Sequence, residues 1–73
     1  MNLQVLFGKR VRELRQLQKL SQEALAFKAG IDRTYMTSIE NGKRNVSIQN
    51  IEKIISALEI SVQEFFSGIT NEK

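Results

Sequence analysis

A short pattern typical of a helix start recurs at four places in this chain. Ser21, Asp32, Ser47 and Ser61 carry side chains that accept a hydrogen bond from a free backbone N–H in the first helical turn. Each is preceded by an apolar residue and followed four positions later by another, which is the hydrophobic-staple spacing. Together with one amphipathic segment upstream, these starts predict helices at about residues 3–18, 22–29, 32–41, 47–58 and 61–67.

The upstream segment has helical periodicity. Apolar residues recur at three- and four-residue steps from Leu3 to Leu17, and Gly8 between them is expected to let another element approach closely. The chain has no Pro and no run of alternating β-branched residues that would favour a strand. We therefore predict an all-α fold, one five-helix domain over residues 1–69, with residues 70–73 as a frayed tail.

The absence of Cys and His excludes several classes of site. Disulfides, thiolate or imidazole metal ligands and Ser-His or Cys-His nucleophiles are ruled out. The carboxylates are scattered over predicted solvent faces, so we expect no enzyme activity, no metal and no cofactor. No apolar run approaches the roughly 20 residues of a membrane span. The first residues lack the order of a secretory signal, so we expect a cytoplasmic protein with no membrane contact.

Charge is distributed unevenly along the chain. Residues 1–46 carry a net charge of +5 and residues 47–73 a net charge of −2, which together give +3. This asymmetry suggests that one part of the chain meets a polyanion and the other part does something else. A solvated surface with uneven charge is the alternative.

Residues 22–41 predict a helix-turn-helix. A short helix, a turn through Ala29-Gly30-Ile31 and a second helix form the supersecondary unit that reads DNA. Ala26 is small where the two helices cross, and Gly30 permits the positive φ of the turn. An ordinary αα-hairpin shares some of these features.

The second helix of this unit, residues 32–40, carries outward residue types that suit DNA. Arginine donates two parallel hydrogen bonds to a guanine edge, and threonine offers a hydroxyl and a methyl group. A solvated helix face is the alternative, but arginine and hydroxyls without a glutamate before Glu40 favour DNA. Tyr35 either reaches the DNA with its hydroxyl or packs its ring against the domain. The candidate base-reading residues are Arg33, Thr34, Thr37 and Ser38.

Residues around this helix are candidates for phosphate contacts. The loop that follows it combines cations, amides and a new helix start, and an ordinary polar loop is the alternative. Gln22 begins a helix whose free N–H groups suit a phosphate, or it simply faces solvent. Lys9, Arg10 and Arg12 are expected to be solvated and to steer DNA at long range. The candidate backbone contacts are Gln22, Tyr35, Asn41, Lys43, Arg44, Asn45 and Ser47.

The last third of the chain has more apolar residues than one thin helical layer needs. The surplus predicts a homodimer interface. One of the two phenylalanines, Phe65 or Phe66, is expected to complete the core of the monomer and not to lie in the interface. Such a twofold dimer matches a palindromic operator with half-sites roughly 34 Å apart. Phe27, opposite the core side of its helix, is either covered by another segment or exposed for a partner. The candidate interface residues are Ile60, Val62, Phe65 and Phe66.

Residues 20–66 resemble the Cro/C1-type (Xre) helix-turn-helix family, and FGKRVRELR, residues 7–15, resembles that family's first helix. The run AFKAGIDRTYMTSIENGKRNVS is most similar to the controller proteins of restriction–modification systems. The resemblance implies a lambda-repressor-like fold with base contacts at the outward positions given above. It also implies an ion pair of Arg15 with Glu40, and a contact of Glu23 with RNA polymerase.

We therefore expect a sequence-specific transcriptional regulator that binds double-stranded promoter or operator DNA as a homodimer and controls a restriction–modification system. The alternatives are a phage-type repressor and an antitoxin-like protein-interaction module that uses Phe27 and the last helix. Salt-sensitive DNA affinity distinguishes a DNA-binding protein from such a module.

Overall fold

Each of the four predicted helix starts is capped by the expected side chain. In the computed structural model, the hydroxyls of Ser21, Ser47 and Ser61 each accept a hydrogen bond from the backbone N–H three residues later. The carboxylate of Asp32 accepts from the backbone N–H groups two and three residues later, those of Thr34 and Tyr35. Asn2 caps the first helix in the same way, a start that the repeated pattern did not include. These bonds satisfy backbone N–H groups that have no partner inside their own helices.

The structure describes residues 1–69, and within them it contains five helices and no strand. The helices are α1 (Leu3–Leu17), α2 (Gln22–Ala29), α3 (Arg33–Glu40), α4 (Ile48–Leu58) and α5 (Val62–Ser67). None of them is long and apolar enough to cross a membrane. The prediction of an all-α, five-helix fold is confirmed, whereas the frayed tail predicted at 70–73 lies outside the described residues.

Residues in the left-handed conformation follow several helix ends, and two of them are not glycine. Gly30 has a φ of 71° after α2, and Gly42 has a φ of 73° after α3. Lys19 and Glu59 adopt the same conformation, with φ values of 60° and 61°. Any residue other than glycine costs roughly 1–2 kcal/mol in the left-handed conformation. Lysine and glutamate are therefore not expected in it, and they do not mark the end of a helix in the sequence.

One apolar core is shared by the helices. α1 packs on α3, and α2 packs on both α3 and α4. Phe65 of α5 is completely buried, with its ring centroid 5.2 Å from that of Phe7. Because Phe65 has no exposed surface, the prediction that it lies in a dimer interface is wrong, and its ring closes the core instead. The other large apolar side chains that are fully buried within residues 1–69 are Val11, Leu25, Met36, Ile39, Ile54 and Leu58.

α1 and α3 approach each other closely at Gly8. A Cβ atom on Gly8 would collide with the carbonyl oxygen of Ile39 and would lie 3.0 Å from the carbonyl oxygen of Glu40. Backbone atoms do not move aside as the end of a flexible side chain does, so only glycine fits here. The close approach predicted at Gly8 is confirmed, and it sets α1 against the C-terminal end of α3.

Arg10 of α1 is not solvated, which corrects the expectation from the sequence. Its side chain is only 12% exposed. Its Nε donates to the carbonyl oxygen of Phe65 at 2.8 Å, and its Nη2 donates to that of Glu64 at 3.1 Å. Carbonyl groups in the last turn of a helix have no partner in that helix, so Arg10 satisfies two of them and holds α5 against α1. Lys9, beside it, is exposed as predicted.

The carboxylate of Glu40 is buried and paired with Arg15. Nε and Nη2 of Arg15 donate to its two oxygens at 2.7 and 2.9 Å, and Nη1 donates to the carbonyl oxygen of Leu20 at 2.8 Å. Arg12 adds a longer bond of 3.4 Å to the same carboxylate. The ion pair implied by the resemblance is therefore present, and it joins α1 to the end of α3.

Burial and hydrogen bonding act on the pKa of Glu40 in opposite directions. Burial raises the pKa, but hydrogen bonds from Arg15, Gln22 and Arg12, together with the charge of Arg15, outweigh it. The pKa of Glu40 therefore lies below its ordinary value of 4.5. A carboxyl of this kind stabilises the fold above its unfolded pKa, and the stabilisation is lost as the pH falls through the lower, folded value.

Replacing Arg15 with Met is expected to lower the free energy of unfolding by about 3–5 kcal/mol near neutral pH, because Glu40 stays buried without its main cation. Without that cation, burial raises the pKa of Glu40 above its unfolded value, so the contribution of this carboxyl falls as the pH rises. The difference in unfolding free energy between the native chain and R15M, measured in urea, should therefore begin to shrink as the pH falls through the raised pKa of Glu40 in R15M, and should shrink further as the pH falls below 4.5.

Lys9→Met removes an exposed cation from the same helix and serves as the matched control. Its unfolding free energy should stay within about 0.5 kcal/mol of the native value at each pH. A difference between the native chain and R15M that does not change with pH would contradict the role given to Glu40.

Candidate nucleic-acid interface

One side of α3 presents the four residues that the sequence assigns to base reading. Arg33 and Thr34 are exposed, and Thr37 and Ser38 are half-buried. Positions four apart in a helix are neighbours, so these residues form two short parallel rows. The opposite side of α3 enters the core. The candidate base-reading residues therefore lie together on one helix face.

Gln22 connects this face to the buried carboxylate of Glu40. Its Nε2 donates to Oε1 of Glu40 at 3.0 Å, and its Oε1 accepts from Oγ1 of Thr37 at 3.0 Å. The Thr37 hydroxyl also lies 3.1 Å from the carbonyl oxygen of Arg33. Gln22 is half-buried, so the alternative in which it simply faces solvent is wrong. Sequence reasoning missed this connection because no spacing within one helix relates residues 22 and 40.

Tyr35 packs between the core and the loop that follows α3. Its ring lies partly buried against the core, and the guanidinium carbon of Arg44 is 4.7 Å from the ring centroid. Asn50 of α4 donates to the Tyr35 hydroxyl at 3.1 Å. The contact of the guanidinium with the ring favours this orientation of the Arg44 side chain. Asn50 was not predicted, because nothing in its sequence surroundings marks it as a partner of Tyr35.

The loop between α3 and α4 exposes two cations. Lys43, Arg44 and Asn45 are all exposed. The loop backbone is held against α1, since Nε2 of Gln4 donates to the carbonyl oxygen of Gly42 at 3.2 Å. The positive charges beside α3 therefore stand on a loop that is tied to the body of the domain.

Two other candidate phosphate contacts have partners within the chain. Oδ1 of Asn41 accepts from Nη2 of Arg12 at 3.2 Å, and Oγ of Ser47 accepts from the backbone N–H of Asn50 at 3.1 Å. Both Asn41 and Ser47 remain exposed. Arg12, expected to be solvated, is only partly so, because it bonds Asn41 as well as Glu40.

A second, apolar surface lies at α5 and the elements beside it. Val62 is 59% exposed and Phe66 is 36% exposed, one helical turn apart. An apolar groove of about 210 Å³ adjoins Phe66 and is lined by Leu3, Phe7, Val46 and Ile51 among others. Ile60, also predicted at the interface, is half-buried against the core.

Phe27 is 86% exposed on α2, so the alternative in which another segment covers it is wrong for residues 1–69.

Within residues 1–69, no group of three or more acidic, His or Cys side chains is placed to hold a metal ion.

Comparison with known proteins identifies the family to which this chain is similar. The helix-turn-helix family model matches residues 11–65. Over 72 residues the chain is 47% identical to the control protein C.MunI of Mycoplasma sp., and the match covers 97% of each protein.

Two solved structures superpose on this fold. The restriction–modification controller protein C.AhdI from Aeromonas hydrophila has 50% sequence identity and a TM-score of 0.85, with 90% of this chain and 100% of that chain covered. The tetramer of the controller protein C.Esp1396I, in complex with its natural 35 base-pair operator, has 33% identity and a TM-score of 0.89, with 94% and 91% covered. The chain therefore belongs to the Cro/C1-type helix-turn-helix family and, within it, to the restriction–modification controller proteins.

Proposed function

We propose that this protein is a sequence-specific DNA-binding transcriptional regulator that controls a restriction–modification system. The observation that carries the proposal is the single face of α3 on which Arg33, Thr34, Thr37 and Ser38 lie together. The exposed cations of the next loop stand beside that face. Similarity to controller proteins, one of which forms a tetramer on its operator, supports the same function.

α3 is the reading helix in this proposal. An α-helix fits the major groove of DNA, where each base pair presents its own pattern of donors and acceptors. Arg33, fully outward at the first turn, donates to the O6 and N7 atoms of a guanine. Thr34, Thr37 and Ser38 contribute hydroxyl groups, and the threonine methyl groups also suit a thymine methyl.

The polar residues around α3 contact the phosphates, which fixes register without reading sequence. Lys43 and Arg44 supply the charge, and Tyr35 orients Arg44. Exposed amides and the N-termini of α2 and α4 supply further donors. The proposed backbone contacts are Gln22, Tyr35, Asn41, Lys43, Arg44, Asn45 and Ser47.

Arg33→Ala and Lys43→Ala should weaken DNA binding in different ways. A preferred site is first selected by the native chain from random-sequence DNA. R33A should lose about 1–3 kcal/mol of discrimination between that site and random DNA, because a base contact is removed. K43A should weaken both DNAs about equally and lower the slope of log K against log salt by about 1.

Gel shifts over a salt series measure both effects. Lys53→Ala, which removes an exposed cation from α4 outside the loop, is the matched control and should leave the salt slope nearly unchanged. An equal loss on selected and random DNA for R33A would exclude its base-reading role.

We further propose that the protein binds its operator as a homodimer through α5. Val62 and Phe66 form an exposed apolar surface on this helix, and Ile60 lies at its edge. Arg10 fixes the C-terminal end of α5 and so holds both side chains in place. A twofold dimer suits a twofold-symmetric operator whose half-sites are roughly 34 Å apart.

Val62→Glu should weaken dimerisation at least about tenfold, because it places a charge in an apolar interface. Val62 is the first residue of α5, where a carboxylate is favourable to the helix, so the fold itself should be retained. Sedimentation equilibrium measures the dimer dissociation constant. Phe27→Glu alters an equally apolar surface residue elsewhere and should leave the constant unchanged. Unchanged dimerisation of V62E would refute this interface.

Two further expectations from the sequence stay predictions. Glu23 is exposed in the first turn of α2, as a contact with RNA polymerase requires. The antitoxin-like module would use the exposed Phe27 to bind another protein and would show little salt-sensitive affinity for DNA, so the salt series above separates it from a DNA-binding regulator.

A further inference from the structure

We propose that the hydroxyl group of Thr37 reads DNA only as a hydrogen-bond acceptor, because the buried carboxylate of Glu40, acting through Gln22, sets the direction of the hydrogen bonds between them. The inference rests on the proposed function, in which Thr37 lies on the reading face of α3. It assigns Gln22 and Glu40 as positioning residues and Thr37 as a residue that selects a particular chemical group on the base.

The direction is set first at Glu40. A carboxylate only accepts hydrogen bonds, and the side chain of Glu40 is completely buried. Besides the two arginines, it has Gln22 Nε2 at 3.0 Å. The opposite orientation of the Gln22 amide would place its carbonyl oxygen against a buried negative charge. Gln22 is therefore held with its NH₂ group toward Glu40 and its oxygen toward α3.

The second step is the bond between Gln22 and Thr37. An amide oxygen only accepts, so the hydroxyl of Thr37, 3.0 Å away, is the donor. The other acceptor within reach, the carbonyl oxygen of Arg33 at 3.1 Å, also requires Thr37 to donate. A hydroxyl has one proton. That proton points into the protein in either arrangement, and only lone pairs remain for a base.

An acceptor on the protein requires a donor on the DNA. In the major groove the donors are the N4 amino group of cytosine and the N6 amino group of adenine. The N7 and O6 atoms of guanine and the O4 atom of thymine are acceptors and offer nothing to such a hydroxyl. Arg33, one helical turn away, only donates. Neighbouring positions of α3 thus carry opposite hydrogen-bonding character, which sharpens the choice of base step.

The test begins with the DNA site that the native chain selects from random sequence. The base pair read by Thr37 is identified as the position of the selected site at which the variant Thr37→Val no longer prefers the base that the native chain prefers. At that pair, purine is substituted for adenine, or pyrimidin-2-one for cytosine, which removes only the amino group. In a second duplex, the purine of the pair is replaced by its 7-deaza form, which removes the N7 acceptor.

Removal of the amino group should weaken binding of the native chain about tenfold, the effect of roughly 1.4 kcal/mol. Binding of T37V should be insensitive to the same removal. The 7-deaza duplex should bind the native chain as the natural one does. A loss with 7-deazapurine but not with the amino-free base would mean that Thr37 donates, and would overturn the inference. So would T37V showing no altered preference at any base pair.

The variant Gln22→Met tests the part played by the buried carboxylate. Methionine keeps the length of the side chain but cannot accept the Thr37 proton, so the hydroxyl keeps only the longer bond to the carbonyl oxygen of Arg33 and can exchange it for an acceptor on a base. The penalty for removing the amino group, measured as the ratio of this variant's Kd values for the amino-free and natural duplexes, should then fall below threefold. The ratio is unaffected by any overall affinity that the variant loses with its proposed phosphate contact. An undiminished penalty would show that Glu40 and Gln22 do not set the direction. If the native chain selects no site and shows no salt-sensitive binding, the proposed function itself fails, which is a separate result.

Discussion

The buried carboxylate of Glu40 is the interaction on which most of this structure depends. A charge removed from water is costly unless donors surround it, and here the donors come from α1 and α2 while the carboxylate stands at the end of α3. Arg15, Arg12 and Gln22 therefore set the positions of three helices relative to one another. The absence of a side chain at Gly8 lets α1 come close enough for these bonds to form. Glu40 thus contributes to the fold and, through Gln22, to the orientation of Thr37 on the proposed reading face.

The structure also changes how the net charge is understood. The first 46 residues have an excess of five positive charges, which suggests a broadly basic surface. Three arginines of α1, however, bond within the domain: Arg10 to α5, and Arg12 and Arg15 to Glu40. The cations on and beside the proposed reading face are Arg33, Lys43 and Arg44, and all three are exposed. The charge that we propose meets DNA is therefore smaller than the count suggests and stands at α3 and its following loop.

Local features were predictable from the sequence and tertiary contacts were not. The capping residues and the positions of the helices depend on neighbours along the chain, so their bounds were predicted to within one residue. The left-handed ends at Lys19 and Glu59 were missed, because those residue types do not mark such a conformation. The outward face of α3 follows from helical periodicity. The partners of Gln22, Tyr35 and Arg10 lie in other helices, and no pattern within one segment indicates them. The role of Arg15 came from the family resemblance, not from its spacing.

The most direct test of this account is the titration of Glu40 itself. Carbon-13 NMR of the side-chain carboxyl group follows its protonation as the pH is lowered, in the intact native chain. The account requires Glu40 to remain ionised below its ordinary pKa of 4.5, because the bonds from Arg15, Gln22 and Arg12 outweigh the effect of burial. A midpoint above 4.5 would show that burial dominates, and would remove the basis for Glu40 as the fixed acceptor that links the fold to the reading face.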